Sequence, residues 1–159
     1  MDFDTLYQRY ARDVYRFALY LSGRPDEADD ITAETFVRAW TSRQPIRVGT
    51  VKAYLFMIAR NLYRAGVRAR GRTAALEDTM PDPRPGPERS AADRRALEDV
   101  LARMQALPEI DRTVLLMRAH DDLTYEEIAA AVGISVTAAK VKVHRARARL
   151  ARTTTKEEA

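Results

Sequence analysis

The chain contains no cysteine. That absence removes disulfides, thiolate metal centres and a cysteine nucleophile together. Its only two histidines, His120 and His144, stand far apart and show no metal-ligand pattern. No uninterrupted apolar run approaches the roughly 20 residues of a membrane-spanning helix. The opening residues MDFDTLYQRY lack a basic stretch followed by an apolar one, so no secretory signal is expected and the chain reads as cytoplasmic. There is no glycine-rich phosphate loop, no metal cluster and no nucleophile–base pair at a workable spacing, so neither catalysis nor a cofactor nor a metal is expected. Strand-period segments and internal repeats are missing too, which leaves an all-α chain.

What is present fits a small helical protein. The 159 residues are 46% hydrophobic, enough for one ordinary domain or two small ones, each only marginally stable alone. A net charge of +4 says little, but its distribution says more. Arg43 to Arg72 holds eight basic residues and no acid, and Lys140 to Arg152 holds six and no acid. Two such stripes suit two contacts with a polyanion, although solvated arginine faces have the same composition.

Helical periodicity runs through most of the chain. Phe3, Leu6, Tyr7, Tyr10, Val14, Phe17, Ala18 and Leu21 mark a first amphipathic helix, ended by Ser22-Gly23. Pro25 suits the first turn of a second helix, and Asp26, Glu27, Asp29 and Asp30 complement its dipole as solvated acids. Ala28, Ile31, Phe36 and Trp40 are its apolar positions. Thr41 to Gly49 reads as a loop broken by Pro45, and Thr50 as the cap of a third helix with Val51, Tyr54, Leu55, Ile58 and Leu62 buried. Gly66 weakens the far end of that helix, so Arg68 to Arg72 is expected to order only on DNA.

Asp78 to Pro87 (DTMPDPRPGP) contains four prolines, which exclude regular helix and predict a linker. Limited proteolysis is expected to cut first within Thr73 to Ser90; early cleavage inside the first three helices would refute that reading. Beyond it, Ser90 caps a helix with Leu97, Val100, Leu101 and Met104 inside, and Pro108 opens another with Ile110, Val114, Leu115 and Met117.

Thr124-Tyr125-Glu126-Glu127 fits a capping box before a short helix carrying Ile128, Ala129 and Val132. Gly133 makes the turn, its small size letting two helices approach, and Ser135 caps a final helix to about Arg152. Short helix, glycine turn and basic helix together predict a helix-turn-helix. With Ala139, Val143, Ala146 and Leu150 inward, Lys140, Val141, His144 and Arg145 face outward, as a major-groove helix requires. Lys142, Arg147 and Arg149 flank that face and suit phosphates. In the first unit, Asn61 lies between Arg60 and Arg64, and Tyr54, Phe56 and Tyr63 share their helix. Such aromatics could stack unpaired bases, although core packing explains Tyr54 more simply.

Three segments in order carry a resemblance. DEADDITAETFVRAW (Asp26 to Trp40) resembles the polymerase-binding region 2.2 of sigma factors, and VKAYLFMIARNLYRAGVRAR (Val51 to Arg70) regions 2.3 and 2.4. LPEIDRTVLLMRAHDDLTYEEIAAAVGISVTAAKVKVHRARARL (Leu107 to Leu150) is similar to region 4. The absence of regions 1.1 and 3 resembles the extracytoplasmic-function (ECF) group of the sigma-70 family. Tyr54 departs from the group's usual Trp, Ala65 and Gly66 replace an acidic residue and a larger neighbour, and Ala138, Ala139 and Val141 stand where Thr, Val and Ser are common.

The resemblance implies region 2 at 1–72, a linker at 73–90, region 4 at 91–153 and a tail at 154–159. It implies docking on core RNA polymerase through Asp26, Asp29, Asp30, Glu34, Phe36, Arg38 and Trp40. Recognition and melting of the −10 element would fall to Arg43, Arg47, Lys52, Tyr54, Arg60, Asn61, Arg64 and Arg68, with the 41–50 loop capturing a flipped base. The −35 element would be read by Ser135, Thr137, Lys140, Val141, His144 and Arg145, with Arg147 and Arg149 on phosphates. An anti-sigma factor is expected as a further partner. The alternatives are a sigma-like decoy that binds an anti-sigma factor without starting transcription, and a homodimeric helix-turn-helix repressor or activator.

Overall fold

The computed structural model describes residues 2–42, 49–73, 90–119 and 123–158. These hold seven helices in the order α1 (Phe3–Ser22), α2 (Pro25–Thr41), α3 (Val51–Thr73), α4 (Ala91–Gln105), α5 (Glu109–Ala119), α6 (Tyr125–Val132) and α7 (Val136–Glu158). Most of the expected linker, residues 74–89, and the loop positions Arg43, Pro45 and Arg47 lie outside the described residues.

Local chemistry sets the helix ends. The Asp2 carboxylate accepts the Thr5 N–H at 2.8 Å and starts α1, and Gly23, at φ 75°, ends it. Pro25 opens α2. The Thr50, Ser90, Thr124 and Ser135 hydroxyls each accept the N–H three residues on, at 3.0–3.2 Å. The capping box closes in a variant form, with Glu127 accepting the Thr124 hydroxyl proton at 3.2 Å. Gly133 is needed for its φ of 74° rather than for its size, because a Cβ there would meet nothing within 4 Å. At Gly23 both reasons apply: a Cβ would lie 3.1 Å from the Gln105 side chain.

Helices α1–α3 form one bundle. Phe17 and Phe56 stack at 4.6 Å between centroids, and Val14, Leu21, Phe36 and Leu55 are almost wholly buried. The hydroxyls of the buried Thr32 and Thr35 donate to carbonyls one turn back at 2.6 Å each, which satisfies them inside the core. Helices α4–α7 enclose Leu101, Met104, Val114, Met117, Leu123, Ile128, Ala139, Val143 and Ala146. Val100, expected inside, is 41% exposed. Helix α7 runs on through the expected tail at 154–158, since no proline or glycine follows Arg152 to stop it.

The two bundles pack against each other, which separate periodicities could not reveal. Arg112, only 4% exposed, donates to the Leu21 carbonyl at 2.9 Å, the Leu107 carbonyl at 2.8 Å and the Tyr63 hydroxyl at 3.0 Å. Gln105 donates to the same Leu21 carbonyl at 2.9 Å. The free carbonyls that end α1 are thus satisfied by side chains of the second bundle. Tyr63, Ala53, Phe56 and Ala59 are buried besides the expected α3 stripe, because α3 packs on both bundles.

Candidate nucleic-acid interface

The outward side of α7 is built from its base. Ala139, Val143 and Ala146 are buried against α5 and α6, which turns Thr137, Lys140, Val141, His144 and Ala148 to the surface. Val141 is 53% exposed, an apolar contact at the centre of a cationic face. Arg147 and Arg149 are exposed farther along the helix. Ser135, expected at DNA, is the cap of α7 through its bond from the Ala138 N–H.

Arg145 has a different occupation. Its guanidinium donates from Nε and Nη2 to the two carboxylate oxygens of Asp111 at 3.1 and 3.2 Å. Asp111 is fully buried, and hydrogen bonding to it, together with its charge, holds the Arg145 pKa above the usual arginine value. A base edge would have to compete for Arg145 with this buried carboxylate. Arg145 does face outward as expected, its side chain 52% exposed, but its guanidinium is also engaged in clamping α7 onto α5.

The cationic side of α3 divides likewise. Asn61, Arg64 and Arg68 are exposed, whereas Arg60 is 7% exposed and donates to both Glu109 oxygens at 2.9 and 3.1 Å. In this arrangement Arg60 is unavailable to DNA. Lys52 lies 3.3 Å from the Asp13 carboxylate, and Tyr54 packs partly buried against the core, in line with the simpler reading of it. The end of α3 stays helical past Gly66 to Thr73, and Arg70 meets the Glu27 carboxylate at 2.6 Å, so its order does not wait for DNA. Glu27 is accordingly an internal partner rather than a solvated acid.

On α2, Asp30, Glu34, Val37 and Arg38 point outward, and Trp40 stands beside them at 51% exposure. Asp26 and Asp29 are partly buried near the start of the helix, with Asp26 3.7 Å from Arg24. Phe36 is 1% exposed, edge-on to Tyr7 at 5.1 Å, which removes it from any contact face. Its ring supports that face from below, while Phe3 braces Trp40 edge-on at 5.8 Å. Val37 and Tyr7, exposed at 51% and 44%, were missed as surface residues because their apolar character reads as core. Exposed apolar side chains gathered beside charges mark a surface that meets another protein.

The arrangement is that of a capped helix-turn-helix with a cationic outer side on α7 and, on α2, exposed apolar side chains set among charges. Family comparison gives the class. Residues 6–73 match the model of Sigma-70 region 2, and residues 97–150 match that of Sigma-70, region 4. The chain is 36% identical over 152 residues to the ECF RNA polymerase sigma factor SigE of Mycolicibacterium smegmatis, covering 92% of this chain and 59% of that protein. It is 32% identical over 152 residues to SigM of Bacillus subtilis, covering 94% and 93%. The sigma factor RpoE of Bartonella quintana, solved with the anti-sigma factor NepR, superposes with a TM-score of 0.79 at 26% identity over 97% of both chains. CnrH, solved with the cytosolic domain of CnrY, gives 0.72 at 27% identity, covering 97% of this chain and 88% of that one. This chain belongs to the ECF group of the sigma-70 family, the factors that direct RNA polymerase to promoters. Among the described residues no helix is long and apolar enough to cross a membrane.

Proposed function

We propose that the chain docks on core RNA polymerase through the outer side of α2 and reads promoter DNA with α3 and α7. The observation that carries this is the outward side of α7, where Thr137, Lys140, Val141 and His144 stand on a helix held by a capped helix-turn-helix. Those four meet −35 base edges, and Arg147 and Arg149 meet phosphates. Asn61, Arg64 and Arg68 face the −10 element, joined by Arg60 once Glu109 releases it. Asp30, Glu34, Arg38 and Trp40, with Val37 at the centre, form the polymerase contact. An anti-sigma factor is a partner by analogy with the two solved relatives, both of which were captured with a bound regulator.

Reconstitution tests the reading: purified chain plus core polymerase should start transcription at specific promoters. Failure to initiate despite polymerase binding would favour the decoy. Asp30→Arg is expected to lose core binding while keeping the thermal midpoint, since Asp30 is exposed and charge reversal there disturbs no packing. Unchanged affinity for core polymerase would remove α2 from the contact.

A further inference from the structure

Tyr125 is the first residue of α6, directly after the Thr124 cap. The capping box needs only Thr124 and Glu127, and tyrosine has no special helix propensity, so neither explains an aromatic at this position. Its surroundings do. The Arg118 guanidinium of α5 stands 4.5 Å from the ring centroid, and the Lys140 ammonium of α7 stands 5.8 Å from it. Arg118 is itself anchored, donating to the Leu123 carbonyl at 2.9 Å. The ring is partly buried and packs on the core, so it does not move with either cation. One aromatic thereby joins the helix before the helix-turn-helix, its first helix and its basic helix.

We propose that Tyr125 is a positioning residue for Lys140, and that through Lys140 it helps to set which base pair the final helix prefers. Lys140 lies in the opening turns of α7, the part of a recognition helix that reaches base edges. A free lysine is a flexible point charge that meets a phosphate as readily as a base. Attraction to the negative face of an aromatic ring acts within about 6 Å of the centroid and narrows where the ammonium can point. Held in this way, Lys140 meets the O6 and N7 acceptors of a guanine with less ordering left to do. The inference rests on α7 being the −35 helix.

The test is a promoter-library selection with the full chain bound to core polymerase. Lys140→Met should relax the preference for guanine at one or two −35 positions. Tyr125→Phe keeps the ring face and should keep the wild-type preference. Tyr125→Leu should relax the same positions by about two- to fivefold, the scale of an exposed cation–π contact, and should add nothing in the Lys140→Met background. A fluorinated phenylalanine at 125 keeps the packing and weakens the ring face, so it should reproduce the leucine result even if leucine disturbs the fold. Uniform weakening on all sequences, or additive loss with Lys140→Met, would make Tyr125 a structural or phosphate residue and overturn the proposal. If Lys140→Met alone leaves the preference unchanged, Lys140 does not read a base and the inference falls with that assignment. Because that arm is separate, the two failures are distinguishable.

Discussion

Glu109→Arg is expected to open the molecule. Glu109 accepts two hydrogen bonds from the buried Arg60 and one from the Thr113 hydroxyl, at 2.9–3.1 Å, across the junction of the two bundles. Reversing its charge would press two guanidinium groups together at a half-buried junction, beside the Arg64 that already acts on Glu109. The remaining contacts, among them those from Arg112 and Gln105 to the end of α1, from Arg112 to Tyr63 and from Thr50 to Glu127, then have to hold the bundles without this ion pair. A compact chain of 159 residues has a radius of gyration of about 15 Å. X-ray scattering should give a clearly larger value for the variant, and Arg60→Glu with Glu109→Arg should restore compaction. A variant as compact as the wild type would show that the ion pair does not hold the bundles together.

Opening has a functional side. The −10 and −35 elements lie about 85 Å apart along B-form DNA, at roughly 3.4 Å per base pair, whereas here α3 and α6 touch and the Thr50 hydroxyl donates to Glu127 at 3.1 Å. If α3 and α7 are the two readers, as proposed, the docked form would not span both elements at once. The open variant should therefore bind promoter DNA more tightly than the wild-type chain when polymerase is absent, and equally well when it is present.

The same carboxylate predicts a pH response. Burial pushes the Glu109 carboxyl up, but hydrogen bonding and charge from Arg60, the Thr113 hydroxyl and the charge of Arg64 outweigh it, so it sits below its ordinary value of 4.5. A carboxylate lowered in the docked form contributes stability that is complete above its ordinary pKa and lost as pH falls through the lowered one. Scattering should show the compact form from neutral pH down to about that ordinary value of 4.5 and expansion only below it.

The second large effect concerns Arg145. Arg145→Ala is expected to act on folding rather than on base preference, because it strips the fully buried Asp111 of its cation. A carboxylate with no exposed surface is destabilising once its partner is gone, although the Arg145 side of the pair is half exposed and water can replace part of what it supplied. A fall of a few degrees in the melting of the second bundle is the outcome to look for. Arg145→Met with Asp111→Leu should recover most of it, since an apolar pair needs no compensation. Should Arg145→Ala melt like the wild type and instead change the preferred −35 sequence, the residue reads DNA after all.

Local rules in the sequence account for much of this protein. Asp2, Pro25, Thr50, Ser90, Thr124 and Ser135 set helix starts, and Gly23 and Gly133 set helix ends, because capping depends only on residues within one turn. The Ala139–Val143–Ala146 stripe is a period within one helix, and it was enough to turn Lys140, Val141 and His144 outward. What tertiary structure decided are the pairings between residues far apart in the chain. Arg60 and Arg145 look like any arginine on a basic helix until Glu109 and Asp111 are brought beside them from 49 and 34 positions away. Phe36 shares an apolar pattern with Trp40, and only the packing of α1 against α2 buries one and leaves the other half exposed. An isolated charge or ring carries no record of its distant partner, because helical periodicity reports which side of a helix is apolar and not what will lie against it.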